Sequence, residues 1–237
     1  MPAAAARKRS FASRLWRKLC LLAAFVVLAV LALILLLRFV NPPTSAFMLG
    51  HQLSTSSSPL RHQWVEFESM SPWLPLAVMA SEDQKFPHHW GFDIGSIGTA
   101  LRNYSQGGRL RGASTISQQT TKNLFLWSGQ SLARKGIEAA LTAPLELLWT
   151  KRRIMEVYLN IAEFGEGIYG VEAASRHFFG VPASAITAKQ AALLAAVLPS
   201  PKRFRVDAPS PYIQDRVSWI RRQMAQLGGP GIVRVLD

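Results

Sequence analysis

The most conspicuous stretch of the chain has no polar face at all. From Leu19 to Leu37 it reads LCLLAAFVVLAVLALILLL, 19 residues with no charge and no strong hydrogen-bonding side chain. That length matches the roughly 20 apolar residues that cross a bilayer as a helix, and it predicts a transmembrane helix over 19–40. A cleaved signal peptide would have a shorter apolar region of about 7–15 residues, and Thr44-Ser45-Ala46 imitates a cleavage site only weakly. A core helix at a chain end would keep a wet stripe. Beyond the span, Asn41 to His62 carries Pro42, Pro43 and an STSSSP run, the composition of a linker.

From residue 63 onward the pattern is helical. Ser71-Pro72 reads as an N-cap followed by proline at the first helical position, ahead of Leu76, Met79 and Ala80, and this helix delivers Glu82 at or near its C-terminal end. Thr115-Ile-Ser-Gln118 and Thr187-Ala-Lys-Gln190 are capping boxes, the second opening an alanine- and leucine-rich helix stopped at Pro199. Ile154, Tyr158, Val171, Ala174 and Phe178 fall at helical spacing around a loop turning on Gly165, Gly167 and Gly170, with Gly180 closing the second helix. Ile213, Val217, Ile220, Met224 and Leu227 make an amphipathic helix that Gly228 ends. No alternating segment is long enough for a sheet-based core. The expected organisation is a basic segment over 1–18, a span over 19–40, a linker over 41–62 and a mainly α-helical domain over 63–237.

Charge refines this picture. Arg7, Lys8, Arg9, Arg14, Arg17 and Lys18 precede the span and Arg38 alone follows it, which orients the N-terminus to the cytoplasm. The net charge of +13 would suit nucleic acid, but the other 20 Lys and Arg against 14 Asp and Glu leave the outer domain at +6. Outside the membrane, that excess suits anionic lipid headgroups or a phosphorylated substrate. The one cysteine, Cys20, lies inside the span, so the domain has no disulfide.

Four blocks carry candidate chemistry. In EDQKFPHHWGFD, from Glu82 to Asp93, acids and histidines sit among Phe86, Trp90 and Phe92. A carboxylate at a helix end in such company can have a raised pKa and accept a proton near neutral pH. A zinc site on His88, His89 and Asp93 would need a spacing these residues lack, and a surface loop of solvated charges is the commonest fate of such a segment. The second block, GGRLRGASTISQQTTKNLFLW, brings Gly107, Gly108, Gly112, Arg109 and Arg111 to the capped start at Ser114 and Thr115, with Lys122 one face along. Free N–H groups and cations there suit a pyrophosphate. A nucleotide P-loop would have Lys-Ser or Lys-Thr where Ala113-Ser114 stands. Leu124 to Trp127 read as core, with the lipid interface as the alternative. In the third block Arg134, Lys135 and Glu138 share one helix face, which holds equally for a surface ion pair worth ~0.3–0.5 kcal/mol. In the fourth, KRRIMEVYLNIAEFGEGIYGVEAASRHFFG, most residues are architecture, and Glu156 and Glu163 read as solvated carboxylates before they read as catalytic ones.

In this order the blocks resemble those of the peptidoglycan glycosyltransferases of glycosyltransferase family 51. The pattern is met by Glu82, Asp83, Phe86, His89 and Gly91; by Gly112 to Thr115, Gln118, Gln119, Lys122 and Asn123; by Arg134, Lys135 and Glu138; and by Tyr158 to Asn160, Gly170, Val171 and Glu172. The absence of a Ser-x-x-Lys transpeptidase motif resembles the monofunctional members. The resemblance implies a lysozyme-like, two-lobed helical domain after the single membrane span, held on the outer, periplasmic side of the cytoplasmic (inner) membrane. Its substrates would be lipid II and the growing lipid-linked strand. Glu82 would deprotonate the acceptor 4-hydroxyl for inverting attack on C1, giving a β-1,4 bond.

By the same resemblance Glu138 is the second essential carboxylate. Asp83, Phe86, His89, Ser114, Thr115, Gln118, Gln119, Lys122, Asn123, Arg134 and Lys135 would line the substrate, the cations neutralising the pyrophosphate. A divalent cation, Mg or Mn, beside Glu138 is the one cofactor the resemblance admits; no organic cofactor is expected. Partners would be membrane lipids and other cell-wall synthesis or division proteins, not nucleic acid. A glycan-cleaving enzyme and a non-catalytic cell-wall scaffold of the same fold are the rival readings. Ser117 stands where the family often has threonine, His88 is an additional histidine without a role, and Pro144 should kink the helix that carries Glu138.

Overall fold

The computed structural model describes residues 3–54, 58–105, 114–129 and 131–236, and divides into an N-terminal unit, residues 1–41, and a second unit, residues 42–237. Gly107, Gly108, Arg109, Arg111 and Gly112 lie outside the described residues. The first unit is the helix α1 (Ala3–Leu37), of which Ser13–Leu37 is long and apolar enough to cross a membrane. At ~1.5 Å per residue this stretch reaches past the ~30 Å hydrocarbon core.

In the second unit the chain runs through α2 (Ala46–Leu53), β1 (Arg61–His62), α3 (Trp73–Glu82), α4 (Ile94–Ser105), α5 (Ile116–Phe125), α6 (Leu132–Leu148) and α7 (Lys151–Ile161). It continues with β2 (Glu163–Gly165), β3 (Ile168–Tyr169), α8 (Val171–Phe179), α9 (Ala188–Val197) and α10 (Pro211–Gln226). The unit is mainly α-helical, as the periodicities predict. The three short strands form a small sheet ordered β1-β3-β2, with β1 parallel and β2 antiparallel to β3.

The helices pack in two groups. In one, α3, α9 and α10 pack on one another. Leu74, Leu76, Ala77, Val78, Met79 and Ala80 bury α3 on nearly every face, the small alanines of α9 allow close approach, and Ile213, Val217, Ile220 and Met224 supply the apolar stripe of α10. In the other, α5 packs on α6 and α7. Here the buried surface is unusually polar: Ser117, Gln118, Thr120, Thr121 and Asn123 of α5 are all buried. Thr120 and Thr121 donate to the carbonyls of Ile116 and Ser117 one turn back, at 2.9 Å each, which satisfies hydroxyls that burial would otherwise penalise.

Side chains of α7 fasten the segment that enters the domain. Asn160 pairs with Val65 as a strand would, accepting from its N–H and donating to its carbonyl at 2.9 Å each, and Glu156 accepts from the Phe67 N–H at 3.0 Å and from Arg153 at 2.7 Å. Glu156 is therefore a buried structural carboxylate rather than the solvated one its sequence suggests. Gly170, at φ +81°, brings the start of α8 so close to the end of α7 that a Cβ would lie 2.6 Å from the Asn160 carbonyl.

Two local expectations are modified. The stretch with linker composition is partly ordered: Ser45 caps α2, which packs on α5, and Arg61-His62 joins the sheet. The eight-residue apolar helix AFMLGHQL is short enough for the surrounding proline and serine to mask it. Ser71 does not cap α3, which begins at Trp73; its hydroxyl donates instead to the Ile186 carbonyl at 2.7 Å. Pro144 lies within α6, which runs on through Leu148. Both capping boxes form as predicted.

Candidate active site

The site begins where α3 stops. Glu82 is the last residue of that helix, and Asp83, at φ −163° and ψ 82°, turns the chain out of it. The two neighbouring carboxylates thus have different surroundings. Asp83 points inward: its Oδ2 accepts from the Ile116 N–H at 3.0 Å, at the open N-terminus of α5, and lies 2.8 Å from His89 Nε2. Asp83 therefore docks α5 against the end of α3, and so sets where the residues of α5 stand relative to Glu82.

Glu82 faces a pocket lined also by Gln84, Lys85, Asp93, Ser96, Ser114 and Thr115. Its side chain is 13% exposed, which leaves a reacting hydroxyl a way in while removing most water. Gln119 of α5 donates to its Oε2 at 3.0 Å, and Arg216 of α10 approaches its Oε1 at 3.5 Å. Burial raises the Glu82 pKa above the ordinary carboxylate range, against the opposing pull of Gln119, Arg216, Lys122 and Ser81. A base with a raised pKa holds a proton more firmly once it has taken one.

The loop between Asp83 and Gly91 is held from beneath. Phe86 is fully buried; the Lys151 ammonium sits 4.6 Å from its ring centre and donates to the His89 carbonyl at 2.5 Å and to Glu146 at 2.7 Å. Glu146 also accepts from Ser117 of α5. The Thr115 hydroxyl, already part of the capping box, donates to the Gly91 carbonyl at 2.6 Å. Gly91 has φ +80°, and a Cβ there would lie 2.8 Å from Glu146 Cγ and 2.9 Å from Thr142 Cγ2. Gly91→Ala is accordingly expected to destabilise the domain by about 2–4 kcal/mol, from backbone strain plus overpacking, read as a lower thermal midpoint by circular dichroism.

On α6, reaching the capped start of α5, lies a cationic cluster. Glu138 of α6 is 2% exposed and accepts from Arg134 at 2.7 Å and from Lys135, each oxygen taking one partner. It is a buried ion cluster, not the surface pair that i,i+4 spacing alone would permit. Lys135 is 42% exposed and also donates to the Ser114 hydroxyl at 3.2 Å, so the cluster reaches the capped start of α5. Lys122 lies between the two acids: both Glu138 and Glu82 pull its pKa up, while burial first, then Arg134 and Lys135, push it down, and the net shift is downward.

The residues marked in the sequence therefore divide by position. Glu82, Ser114, Gln119, Lys122 and Lys135 stand where a substrate can reach them; Asp83, Phe86, Thr115, Gln118, Asn123 and Arg134 are buried, His89 nearly so, and these build the frame. His88 is exposed. Leu124 and Leu126 belong to the core and Trp127 is 54% exposed. Arg216, Glu146 and Lys151 are not marked as site residues by the sequence. Arg216 lies 134 positions from Glu82 with no local signal, and Glu146 and Lys151 fall on either side of a helix break. Tyr158 stands in the apolar periodicity and in the family pattern, neither of which assigns it a contact with the Glu82 site. Among the described residues no three His, Cys, Asp or Glu side chains gather as metal ligands.

This chain is similar to known proteins over most of its length. The transglycosylase family model matches residues 49–225. The biosynthetic peptidoglycan transglycosylase of Yersinia pestis is 58% identical over 202 residues, covering 83% of this chain and 84% of the relative. That of Klebsiella oxytoca is 58% identical over 205 residues, 84% and 85% of the two chains.

Proposed function

Because this chain belongs to the transglycosylase family, we propose that its reaction, the polymerisation of peptidoglycan glycan strands, proceeds with Glu82 as general base beside α5 and a neighbouring cationic pyrophosphate site on Lys122, Arg134 and Lys135. The chain is a peptidoglycan transglycosylase, and the substrates that activity implies are lipid II and the glycan strand. The observation that carries the residue assignment is the pairing, across one capped helix, of a buried, accessible carboxylate with the Lys122, Arg134 and Lys135 cluster.

In this reading the acceptor's 4-hydroxyl lies in the Glu82 pocket and the donor's pyrophosphate lies against Lys122, Lys135 and Ser114. The acceptor O4–C1 bond forms as the C1–O bond to the pyrophosphate breaks. The O4 proton passes to Glu82, the electron pair leaves on the phosphate oxygen, and the anomeric centre inverts. Preorganised cations stabilise the charge that develops there. Glu138 acts by holding Arg134 and Lys135 in position. No step is routed through a divalent cation: both Glu138 oxygens are occupied by cationic side chains, and that donor set does not suit Mg or Mn. Hydrolysis of a finished strand would make no use of these cations. Purified protein given lipid-linked precursor should yield polymer and leave finished strands uncut; shortened strands with untouched precursor would reverse the assignment.

The helix Ser13–Leu37 fits a single membrane anchor. We place the N-terminus in the cytoplasm and residues 42–237 outside the cytoplasmic membrane, from the basic residues before the span. An enzyme confined to the surface that holds its polyprenyl substrate gains effective concentration without new contacts. A pH signature follows for Arg216. Its cation lowers the Glu82 pKa, so Arg216→Ala lets that pKa rise, and the acid limb of kcat/KM should move up by about 0.5–1 pH unit. A pH–rate profile checks both the direction and the size.

A further inference from the structure

The Gln119 amide is a neutral donor to Glu82, and that amide is itself held from behind. The Tyr158 hydroxyl, on α7, donates to Gln119 Oε1 at 3.1 Å, while Gln119 Nε2 donates to Glu82 Oε2 at 3.0 Å. Tyr158 is 1% exposed. A glutamine amide can present either end to a neighbour, and only the surrounding hydrogen bonds decide which. An ionised carboxylate accepts only, so the carbonyl end of Gln119 turned toward Glu82 would set two acceptors against each other. It would also strip the Tyr158 proton of its acceptor.

The flipped amide suits the opposite state of the base. A protonated Glu82 could donate to the Gln119 carbonyl, and the Tyr158 oxygen could accept from the Gln119 N–H. The phenol proton therefore selects between two arrangements that differ in whether Glu82 can take a proton. Resting on the reading of Glu82 as base, we infer that Tyr158 is a positioning residue: by engaging the Gln119 carbonyl, it keeps the amide N–H on Glu82 and the carboxylate ionised and aimed into the pocket. Burial and the nearby Glu82 charge hold the phenol pKa well above its ordinary value, so Tyr158 stays a donor throughout the working range.

Other groups face Glu82. Lys122 comes from the same helix as Gln119, Arg216 from α10, Asp83 from the adjoining residue, and Lys85 and Asp93 from across the pocket. Asp83 is engaged by His89 and Ile116, and Lys85 pairs with Asp93 at 3.1 Å. Lys122 and Arg216 act on Glu82 as charges whichever way the amide points, so the relay adds an orientation-dependent contribution that they do not supply.

Tyr158→Phe removes one oxygen and leaves the ring in place. The acid limb of kcat/KM is expected to move up by about one pH unit, a roughly tenfold loss of rate below the limb with recovery above it, and KM for lipid-linked precursor is expected to stay within about twofold. Gln119→Met, which removes both amide ends, should show the same shift, and the double variant should shift no further than Gln119→Met alone. An unshifted limb in Tyr158→Phe, a loss independent of pH, or additive shifts in the double variant would overturn the relay. Should Tyr158→Phe fail to fold, an unshifted limb in Gln119→Met would do so by itself. Glu82→Gln run alongside separates the two claims. If it retains activity, the base assignment fails; if it is inactive while the Tyr158→Phe limb is unmoved, the relay alone fails.

Discussion

Glu82→Gln is expected to abolish polymerisation while leaving the domain as stable as the parent or more so. The amide keeps the shape of the side chain and an acceptor for Gln119, and loses the capacity to take a proton. Removing a general base costs roughly 10²–10⁴ in rate, and here the same group also aims the acceptor hydroxyl, so turnover should fall to background. The stability half follows from the raised pKa. A carboxyl whose folded pKa lies above its unfolded value contributes stability that is complete below the unfolded pKa and is lost as pH rises through the folded one. Above its folded pKa the parent has lost that contribution, whereas a neutral glutamine has no charge for burial to penalise. Thermal melts of the two proteins should diverge as pH rises from the acid range, with Glu82→Gln never the lower. A marked loss of stability at pH 8 would show that Glu82 serves the fold.

The second large effect is expected at Glu138, and it should take the opposite form. Glu138→Gln leaves Arg134, 8% exposed, without its charge partner, and removing one side of a buried pair typically costs about 3–5 kcal/mol. The thermal midpoint should therefore fall. The catalytic consequence runs through Lys122. Glu138 is the largest influence holding the Lys122 pKa up against burial, and Arg134 and Lys135 push it down. Without the carboxylate Lys122 gives up its proton more readily, so the alkaline limb of the rate should move to lower pH, opposite to the shift expected for Arg216→Ala at the acid limb. A pH profile of purified Glu138→Gln, at a temperature where circular dichroism shows it folded, tests this. If the alkaline limb stays in place, Glu138 does not act through Lys122.

With both expected outcomes, the two acids would have different work: Glu82 destabilising to the fold and needed for the reaction, Glu138 needed for both. Active sites commonly hold groups in surroundings that a stability criterion alone would reject. The polar, buried α5 is the structural form of that compromise. It forms a stable interior helix because its cap, its hydroxyl-to-carbonyl bonds and the carboxylates of Asp83 and Glu146 satisfy nearly every polar group it buries.

The sequence alone carried what depends on short-range physics. The membrane helix was legible because bilayer thickness fixes its length, and both capping boxes because the cap and its partner are three residues apart. The stripe of α10 followed from a period of 3.6, and the cations of α6 could be placed on one face with Glu138 by the same period. What those signals could not carry was burial and long-range pairing. Composition hid α2 inside an apparent linker, and Glu156 looked solvated because the Phe67 N–H it serves is 89 positions away. Asp83 and Glu82 stand side by side in the chain as equivalent acids; only the fold turns one onto the N-terminus of α5 and leaves the other facing the pocket with Gln119, Tyr158 and Arg216 around it. The sequence could name Glu82 as an acid at a helix end, but the proton affinity of a base depends on desolvation and on charges brought from distant segments, and those exist only once α3, α5, α7 and α10 have packed.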